Sequence, residues 1–232
     1  MLFPADPDDA LPFRPSDSPF YMPSYFDDES DSEASDPDDL LPYPDHFLPP
    51  GSTQEHDLDV DGAVAAFREV GLLDGLTETQ IADGTDRARR LEFADAPGEL
   101  YRCFPRRVVY FDWEGAAMDG AYADLLRQFE LAGRGHFALA DVEDGFPAFG
   151  DGGPYPGAFT LDGRRYAFSS EGNGDWLDSA FLDALNEALS AQGIGRFDVV
   201  LDHGQAAGYA FFTDEALADV RERLPELLAS AR

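Results

Sequence analysis

Residues 158–168, AFTLDGRRYAF, form the stretch of this sequence that decides the fold. Residues 158–161 and 164–168 are rich in aromatic and apolar residues, and Asp162–Gly163 lies between them. An Asp-Gly pair readily adopts the positive φ angles of a two-residue type I′ turn, whose twist matches that of two paired strands. The sequence therefore predicts a β-hairpin at this position.

Further strands and helices are predicted on both sides of the hairpin. Within residues 122–129 the apolar side chains recur at i, i+3, i+4 and i+7, which places them on one face of a helix. Short apolar runs at 108–114, 197–201 and 208–212 are typical of strands. Hairpins with intervening helices predict an α+β fold with an antiparallel or mixed sheet and helices packed on it.

Several element boundaries follow from capping residues and helix breakers. Thr77 and Gln80 match a capping box, in which each side chain hydrogen-bonds the other's backbone N–H, so a helix is predicted from there to about Leu91. Ala96–Pro97–Gly98 predicts a break, and residues 145–157, with five glycines and three prolines, predict a loop. Gly71 and Gly133 are predicted to end helices. Asp175 and Thr213 are predicted to start helices, and Trp176 is expected on the helix that follows Asp175. Pro225 is predicted to shorten the last helix.

Residues 1–56 differ in composition from the rest of the chain. Eleven of the 17 prolines lie between Pro4 and Pro50, and residues 27–39 read DDESDSEASDPDD. Dense prolines interrupt helices and strand ladders, and the acidic charge opposes collapse. We therefore predict a disordered acidic tail with interspersed aromatic residues at 1–56, followed by a single globular domain at 57–232.

The charge of the chain restricts its partners. The formal net charge is −31 at pH 7, from 47 acidic and 16 basic residues, and every basic residue is Arg. Such a charge repels nucleic acid and anionic membranes and attracts basic proteins. A basic protein is therefore the expected partner, and neither nucleic acid nor membrane is expected. Salt adaptation produces a similar composition, so a halophile's housekeeping domain is the alternative.

Signals for export and for membrane insertion are not evident in the sequence. The first ten residues, MLFPADPDDA, lack the basic and apolar regions of a secretory signal. No segment approaches the roughly 18 apolar residues of a membrane span. Cys103 is the single cysteine, so a disulfide within the chain is impossible. We expect a cytoplasmic protein.

A weak calcium-binding pattern lies at residues 57–62, DLDVDG. Asp57, Asp59 and Asp61 alternate as in the first half of a calcium loop, D-x-D-x-D-G. The twelfth position, where a bidentate Glu should complete the ligand set, is Arg68. Acidic residues that cap the following helix are the alternative interpretation, and no other cofactor is predicted.

No catalytic group is predicted. Three arginines near Cys103 can lower the pKa of its thiol, although a buried structural cysteine is the commoner role. Asp202 and His203 are adjacent, and adjacent strand residues point to opposite faces, so they do not suggest a base and its orienting carboxylate. His203 is instead expected in a turn before Gly204.

Candidate binding residues cluster around the strand predicted at 108–114. Tyr110 and Trp113 are large aromatic residues of the kind that anchor interfaces, and Asp112 and Glu114 flank Trp113 with negative charge. Trp176 is the second tryptophan of the chain and a further candidate anchor.

From Tyr110 onward the sequence resembles small bacterial α+β proteins of the toxin-immunity type. The resemblance lies in YFDWEGAAMDGAYADLLRQFELAGRGHFALADVEDGF, AFTLDGRRYAFSS, DWLDSAFLDALNEAL and RFDVVLDHGQAAGYAFFT, and earlier in FREVGLLDGLTETQIADG. It implies a non-enzymatic binding protein that inhibits a basic toxin or nuclease. The alternatives are the salt-adapted housekeeping domain and an enzyme that uses carboxylates and a divalent ion.

Overall fold

The structure is a computed structural model that describes residues 59–91, 94, 96–114, 119–146, 151–173 and 176–228. The predicted tail at 1–56 lies outside these residues. The helices are α1 (Val60–Glu69), α2 (Glu78–Arg89), α3 (Pro97–Tyr101), α4 (Ala121–Ala132), α5 (Ala180–Ala191) and α6 (Asp214–Arg223). The strands are β1 (Val108–Asp112), β2 (Leu139–Asp144), β3 (Asp151–Leu161), β4 (Arg164–Asn173), β5 (Arg196–Asp202) and β6 (Ala206–Phe212).

Two antiparallel sheets accompany these helices, which confirms the predicted α+β class. One sheet has the strand order β1-β6-β5, and the other has the order β2-β3-β4. The β3–β4 connection is the predicted hairpin, because Leu161 pairs with Arg164 and the two turn residues have φ angles of 48° at Asp162 and 73° at Gly163. These positive φ angles are those that a type I′ turn requires.

Strand β6 separates two hydrophobic cores. Ala207, Tyr209 and Phe211 belong to one core, which α4, α5 and the β2-β3-β4 sheet also line. Ala210 and Phe212 belong to the other core, which is lined by α1, α2, α3 and α6. Successive strand residues point to opposite faces, so the apolar run in β6 supplies side chains to both cores.

The predicted helix boundaries at Gly71, Thr213 and Pro225 are confirmed. After α1, the N–H of Gly71 donates to the Arg68 carbonyl and the N–H of Leu72 donates to the Phe67 carbonyl, which is the hydrogen-bond pattern of a Schellman motif. The Thr213 hydroxyl caps α6 at the Ala216 N–H (3.1 Å), and α6 ends at Arg223 before a short 3-10 turn at Pro225–Leu227. The capping box of Thr77 and Gln80 is also present.

The break predicted at Ala96–Pro97–Gly98 is wrong, because α3 begins there. Pro97 occupies the first helical turn, where its missing N–H has no intrahelical acceptor in any case. Gly98 lies against the Val200 carbonyl oxygen of β5, and a Cβ at this position would overlap that oxygen. The glycine therefore permits close packing of α3 on the sheet.

The loop predicted at 145–157 is wrong in its second half. Strand β3 begins at Asp151, because this segment pairs with β4 and, from Gly157 onward, with β2. A bulge in the β3–β4 ladder between Gly152 and Tyr155 accommodates part of the glycine- and proline-rich run. Pairing with β4, and from Gly157 onward also with β2, stabilises an extended conformation that local propensity disfavours.

The prediction that Trp176 lies on a helix is wrong. Helix α5 begins at Ala180, and the Asp178 carboxylate accepts a hydrogen bond from the Ala180 N–H (3.0 Å) at its start. Asp175, the predicted cap, lies outside the described residues. The apolar stripe of α5 is buried as expected, and Trp176 lies in the connecting segment before it.

Candidate functional site

The end of β1 meets the β5–β6 turn and the segment before α5. The Trp113 N–H donates to the Gln205 carbonyl (2.9 Å), and the Leu177 N–H donates to the Trp113 carbonyl (2.9 Å). These two bonds bring four of the five candidate binding residues to one end of the β1-β6-β5 sheet. We call this surface the acidic edge, and it comprises Asp112, Trp113, Glu114, Trp176, Asp178 and Asp202.

The two tryptophans of the acidic edge differ in how firmly they are held. The Trp113 ring packs edge-on against Phe111 (4.6 Å between centroids) and Tyr209 (6.2 Å), so the aromatic core fixes its orientation. Trp176 is 37% exposed, which is unusual for a side chain of this size. The acidic edge therefore combines a fixed ring with an exposed one.

The carboxylates of the acidic edge accept hydrogen bonds from neutral N–H groups. These bonds satisfy the oxygens geometrically but leave the negative charges in place. The donors are the Glu114 backbone for Asp112 (2.8 Å), the Gln205 side chain for Glu114, the Gly204 backbone for Asp202 (3.0 Å), and the Glu171 (2.6 Å) and Ala180 (3.0 Å) backbones for Asp178.

Many other acidic residues are instead paired with arginine. Such pairs contribute little to stability when exposed, but each one reduces the local negative potential. At the acidic edge, the hydrogen bonds described above to Glu114, Asp178 and Asp202 come from neutral donors instead. The arginine pairs are Arg68–Glu78 (2.7 Å), Arg89–Asp61 (2.7 Å), Arg127–Asp124 (3.4 Å), Arg165–Glu143 (2.6 Å) and Arg223–Glu69 (2.8 Å).

Tyr110, the fifth candidate binding residue, faces the other side of β1. Its hydroxyl lies 3.1 Å from His203 Nδ1, and His203 Nε2 lies 2.9 Å from the Glu99 carboxylate. Arg102 contacts the same carboxylate (Nε to Oε2, 2.7 Å) and lies over the Tyr110 ring at 5.4 Å. The structure thus places Tyr110 on the face of β1 opposite Trp113, near Asp112, in a hydrogen-bonded series of tyrosine, histidine and glutamate.

The hydrogen bonds that link Tyr110, His203 and Glu99 have a defined donor-to-acceptor direction. Glu99 is 4% exposed, and its carboxylate favours a proton on His203 Nε2, which leaves Nδ1 to accept the Tyr110 hydroxyl proton. Burial raises the pKa of Tyr110 further, against the opposing charge of Arg102. The phenol therefore remains a proton donor at neutral pH, and these hydrogen bonds hold the β5–β6 turn against α3.

Sequence reasoning missed the partner of His203. His203 lies in the β5–β6 turn before Gly204, as predicted, but the carboxylate that contacts it belongs to Glu99. The adjacent Asp202 accepts instead from the Gly204 N–H. Glu99 lies on α3, directly after the break predicted at Ala96–Pro97–Gly98, so no local pattern indicated its role.

The calcium-like motif serves other purposes in the described part of the chain. The Asp59 carboxylate caps α1 by accepting the Gly62 N–H (3.0 Å), and Asp61 pairs with Arg89 (2.7 Å). Asp57 lies outside the described residues. Within those residues, no group of three or more His, Cys, Asp or Glu side chains could hold a metal ion.

The lowered pKa considered for Cys103 is wrong. Burial raises the pKa of the thiol to about 11, and this effect outweighs the nearby charges of Arg102 and Arg87. The sulfur lies 3.6 Å from the Glu99 carbonyl oxygen. These surroundings suit a buried structural cysteine rather than a nucleophile.

Comparison with family models, with curated proteins and with solved structures finds no match to this chain. Among the helices that the structure describes, none is both long enough and apolar enough to cross a bilayer. The function is therefore inferred from the residues and their geometry.

Proposed function

We propose that this chain is a non-enzymatic acidic binding protein that acts as an immunity-type inhibitor of a basic protein, such as a nuclease toxin. The acidic edge carries this proposal, because it groups four carboxylates, which accept hydrogen bonds from neutral N–H donors, with two tryptophans at one end of the sheet. Complementary charge accelerates association with a basic partner, and aromatic anchors contribute much of the affinity.

Inhibition requires that the acidic edge occupy a functional surface of the partner. A nuclease binds a polyanion, so its active-site surface is basic and attracts the same carboxylates. Trp113 is held by the core before binding, so little conformational entropy is lost when it is covered. Trp176, which is exposed, is the side chain expected to enter a pocket of the partner.

The first test is capture of a basic protein from the cells that produce this chain, followed by measurement of the Kd with purified components. We expect the Kd to rise strongly between about 0.05 M and about 0.5 M salt, because screening shortens the range of the charge interaction. Trp176→Ala is expected to raise the Kd about tenfold or more, the effect of removing a central aromatic anchor. The captured protein should also lose its activity when bound.

A charge-matched control separates the acidic edge from net charge. Asp112→Asn with Glu114→Gln removes two charges at the edge, and Glu215→Gln with Glu222→Gln removes two charges from α6. The first pair is expected to weaken binding much more than the second. Equal weakening by both pairs would attribute binding to overall charge, and failure to bind any basic protein at low salt would refute the proposal.

A further inference from the structure

Two arginine side chains contact the turn that follows α1. Arg107 immediately precedes β1 and is 3% exposed, whereas Arg134 follows α4 and is partly exposed. Arg107 Nη2 donates to the Asp74 carbonyl (2.6 Å), and Arg134 donates to the carbonyls of Leu72 (3.5 Å) and Phe211 (3.3 Å). All three acceptors are neutral backbone groups, so these bonds do not compensate the two positive charges.

Arg107 also has hydrogen-bonding capacity that the described residues do not use. Its Nε and Nη1 atoms are buried and lack a hydrogen-bond partner among those residues. Leaving a buried donor of a charged group unpaired is costly, and such a group in a native protein often marks the position of a water molecule or an ion. In a chain of net charge −31, a buried cation with unused donors calls for an explanation.

The surroundings of the two arginines show that their charges interact. The pKa of Arg107 is lowered to about 10, chiefly by burial; the Tyr101 phenol and Asp74 oppose this shift, and the charge of Arg134 adds to it. The Tyr101 hydroxyl donates to the Leu72 carbonyl (3.3 Å), the same carbonyl that Arg134 contacts. Donors from three separate segments of the chain therefore lie around one turn.

We propose that Arg107 and Arg134 form a binding site for a small tetrahedral oxyanion, either inorganic phosphate or the phosphate group of a small metabolite. Guanidinium groups are suited to such anions because their planar N–H donors match the geometry of phosphate oxygens. An anion between the two side chains would pair with the unused donors of Arg107 and neutralise the repulsion between the two cations.

Access to this site is through Arg134. Its hydrogen bonds to Leu72 and Phe211 are long, so they are weak and easily replaced by bonds to an anion. His136, which is exposed, lies close by, with its ring 5.2 Å from that of Phe211. Arg134 is the more exposed of the two arginines, so an anion would approach the pair from its side.

The acidity of the chain does not prevent binding at this position. At about 0.15 M salt, charges more than about 8 Å away are largely screened, so donors within contact distance decide the affinity. Asp74 is the exception, because it raises the pKa of Arg107 and so lies near enough to weaken an anion's binding. The site is separate from the acidic edge, and its ligand differs in chemistry from the proposed basic partner.

The test uses calorimetric titration of the full chain with inorganic phosphate at constant ionic strength. We expect saturable binding of one phosphate per chain and a rise in Tm of about 3 °C at high phosphate relative to chloride. Arg134→Gln is expected to weaken binding at least tenfold. Arg127→Gln is the matched control, since it makes the same charge change on α4, where Arg127 pairs with Asp124 (3.4 Å), and it should bind phosphate as the parent does.

Two results would overturn the proposal. One is an identical response of the parent chain to phosphate and chloride, and the other is equal weakening by Arg134→Gln and Arg127→Gln. If Arg134→Gln does not fold, Arg134→Lys replaces it: several-fold weaker binding supports the site, and unchanged affinity refutes the role of the guanidinium. Competition by a nucleoside monophosphate that exceeds competition by free phosphate would identify the metabolite as the source of the anion.

Discussion

The partial burial of Cys103 should suppress the reactivity of its thiol. With a thiol pKa of about 11, roughly one molecule in a thousand carries a thiolate at pH 8. We expect the native protein to react with iodoacetamide about a hundredfold more slowly than the denatured protein, in which the thiol has its ordinary pKa. Mass spectrometry of timed samples measures both rates, and equal rates would show that the thiol is not shielded.

The pKa of His136 depends on the charge of Arg134. Burial is the main cause of its lowered pKa, and Arg134 is the second. We expect Arg134→Gln to raise the pKa of His136 toward its ordinary value of 6.5 without reaching it, and Arg127→Gln to leave it unchanged. NMR titration of the imidazole protons gives these values. An unmoved pKa in Arg134→Gln would mean that the two charges do not interact.

The same shift has a consequence for stability with a definite sign. The unfolded chain binds a proton at His136 more readily than the folded chain, so protonation favours unfolding. The contribution of His136 to stability is therefore fully present above about pH 6.5 and is lost as the pH falls through that value toward the lower folded-state pKa.

Asp59 is predicted to act as a helix cap. Asp59→Ala removes the acceptor for the Gly62 N–H and should lower the free energy of unfolding by about 1 kcal/mol. Urea denaturation measures this loss, and Asp83→Ala on the exposed face of α2 provides a control of similar size. Addition of calcium should leave the difference unchanged, whereas calcium-dependent stability that Asp59→Ala abolishes would establish a metal site instead.

Helix α3 depends on close contact with the β1-β6-β5 sheet. Gly98→Ala places a methyl group against the Val200 carbonyl and Leu201, so we expect a loss of about 2 kcal/mol in the free energy of unfolding. Because α3 carries Glu99, the variant should also disturb the hydrogen bond between Tyr110 and His203, which NMR of the imidazole can detect. A variant as stable as the parent would mean that α3 shifts at little cost.

The elements that could be predicted are those with local signals. Helices α1, α2, α4 and α6 have apolar periodicity and caps, and the β3–β4 hairpin has its Asp-Gly turn. Helix α3 has only five residues, and its Pro-Gly start resembles a break until its packing on Val200 is known. Strand β3 depends on pairing with β4, joined by β2 from Gly157 onward, and this pairing compensates for its glycines and prolines.

The same distinction applies to the candidate sites. Asp112, Trp113 and Glu114 adjoin one another in sequence, so their grouping could be predicted. The positions of Trp176 and Gln205 beside them result from backbone hydrogen bonds between distant segments. Glu99 and the Arg107–Arg134 pair were not predictable, because a contact between residues far apart in sequence has no pattern in a single sequence.

At the scale of the whole molecule, the charge is divided between two regions. Residues 1–60 hold 16 acidic residues and one Arg, a net charge of −15, and residues 61–232 hold 31 acidic residues and 15 Arg, a net charge of −16. Repulsion within the domain is therefore moderate. We expect the protein to remain folded at about 0.15 M salt, where repulsion between exposed charges is screened beyond about 8 Å.

A thermal melt over a range of salt concentrations tests this expectation. A modest, gradual rise in Tm with added salt agrees with a domain whose charge repulsion is screened by salt but whose folding does not require high salt. Unfolding at about 0.15 M salt, with recovery only at much higher concentrations, would favour the salt-adapted housekeeping domain over a binding protein.

The position of β6 between β1 and β5 also affects how the chain is made. Strand β1 pairs through Val108–Asp112 with Ala206–Ala210 of β6, so it has no partner in its sheet until roughly 90 further residues have been synthesised. At about 5–20 residues per second, a ribosome needs roughly 5–20 s for that stretch. During this time the apolar β1 segment is an open strand edge, which a nascent-chain chaperone can bind and a second nascent chain can join.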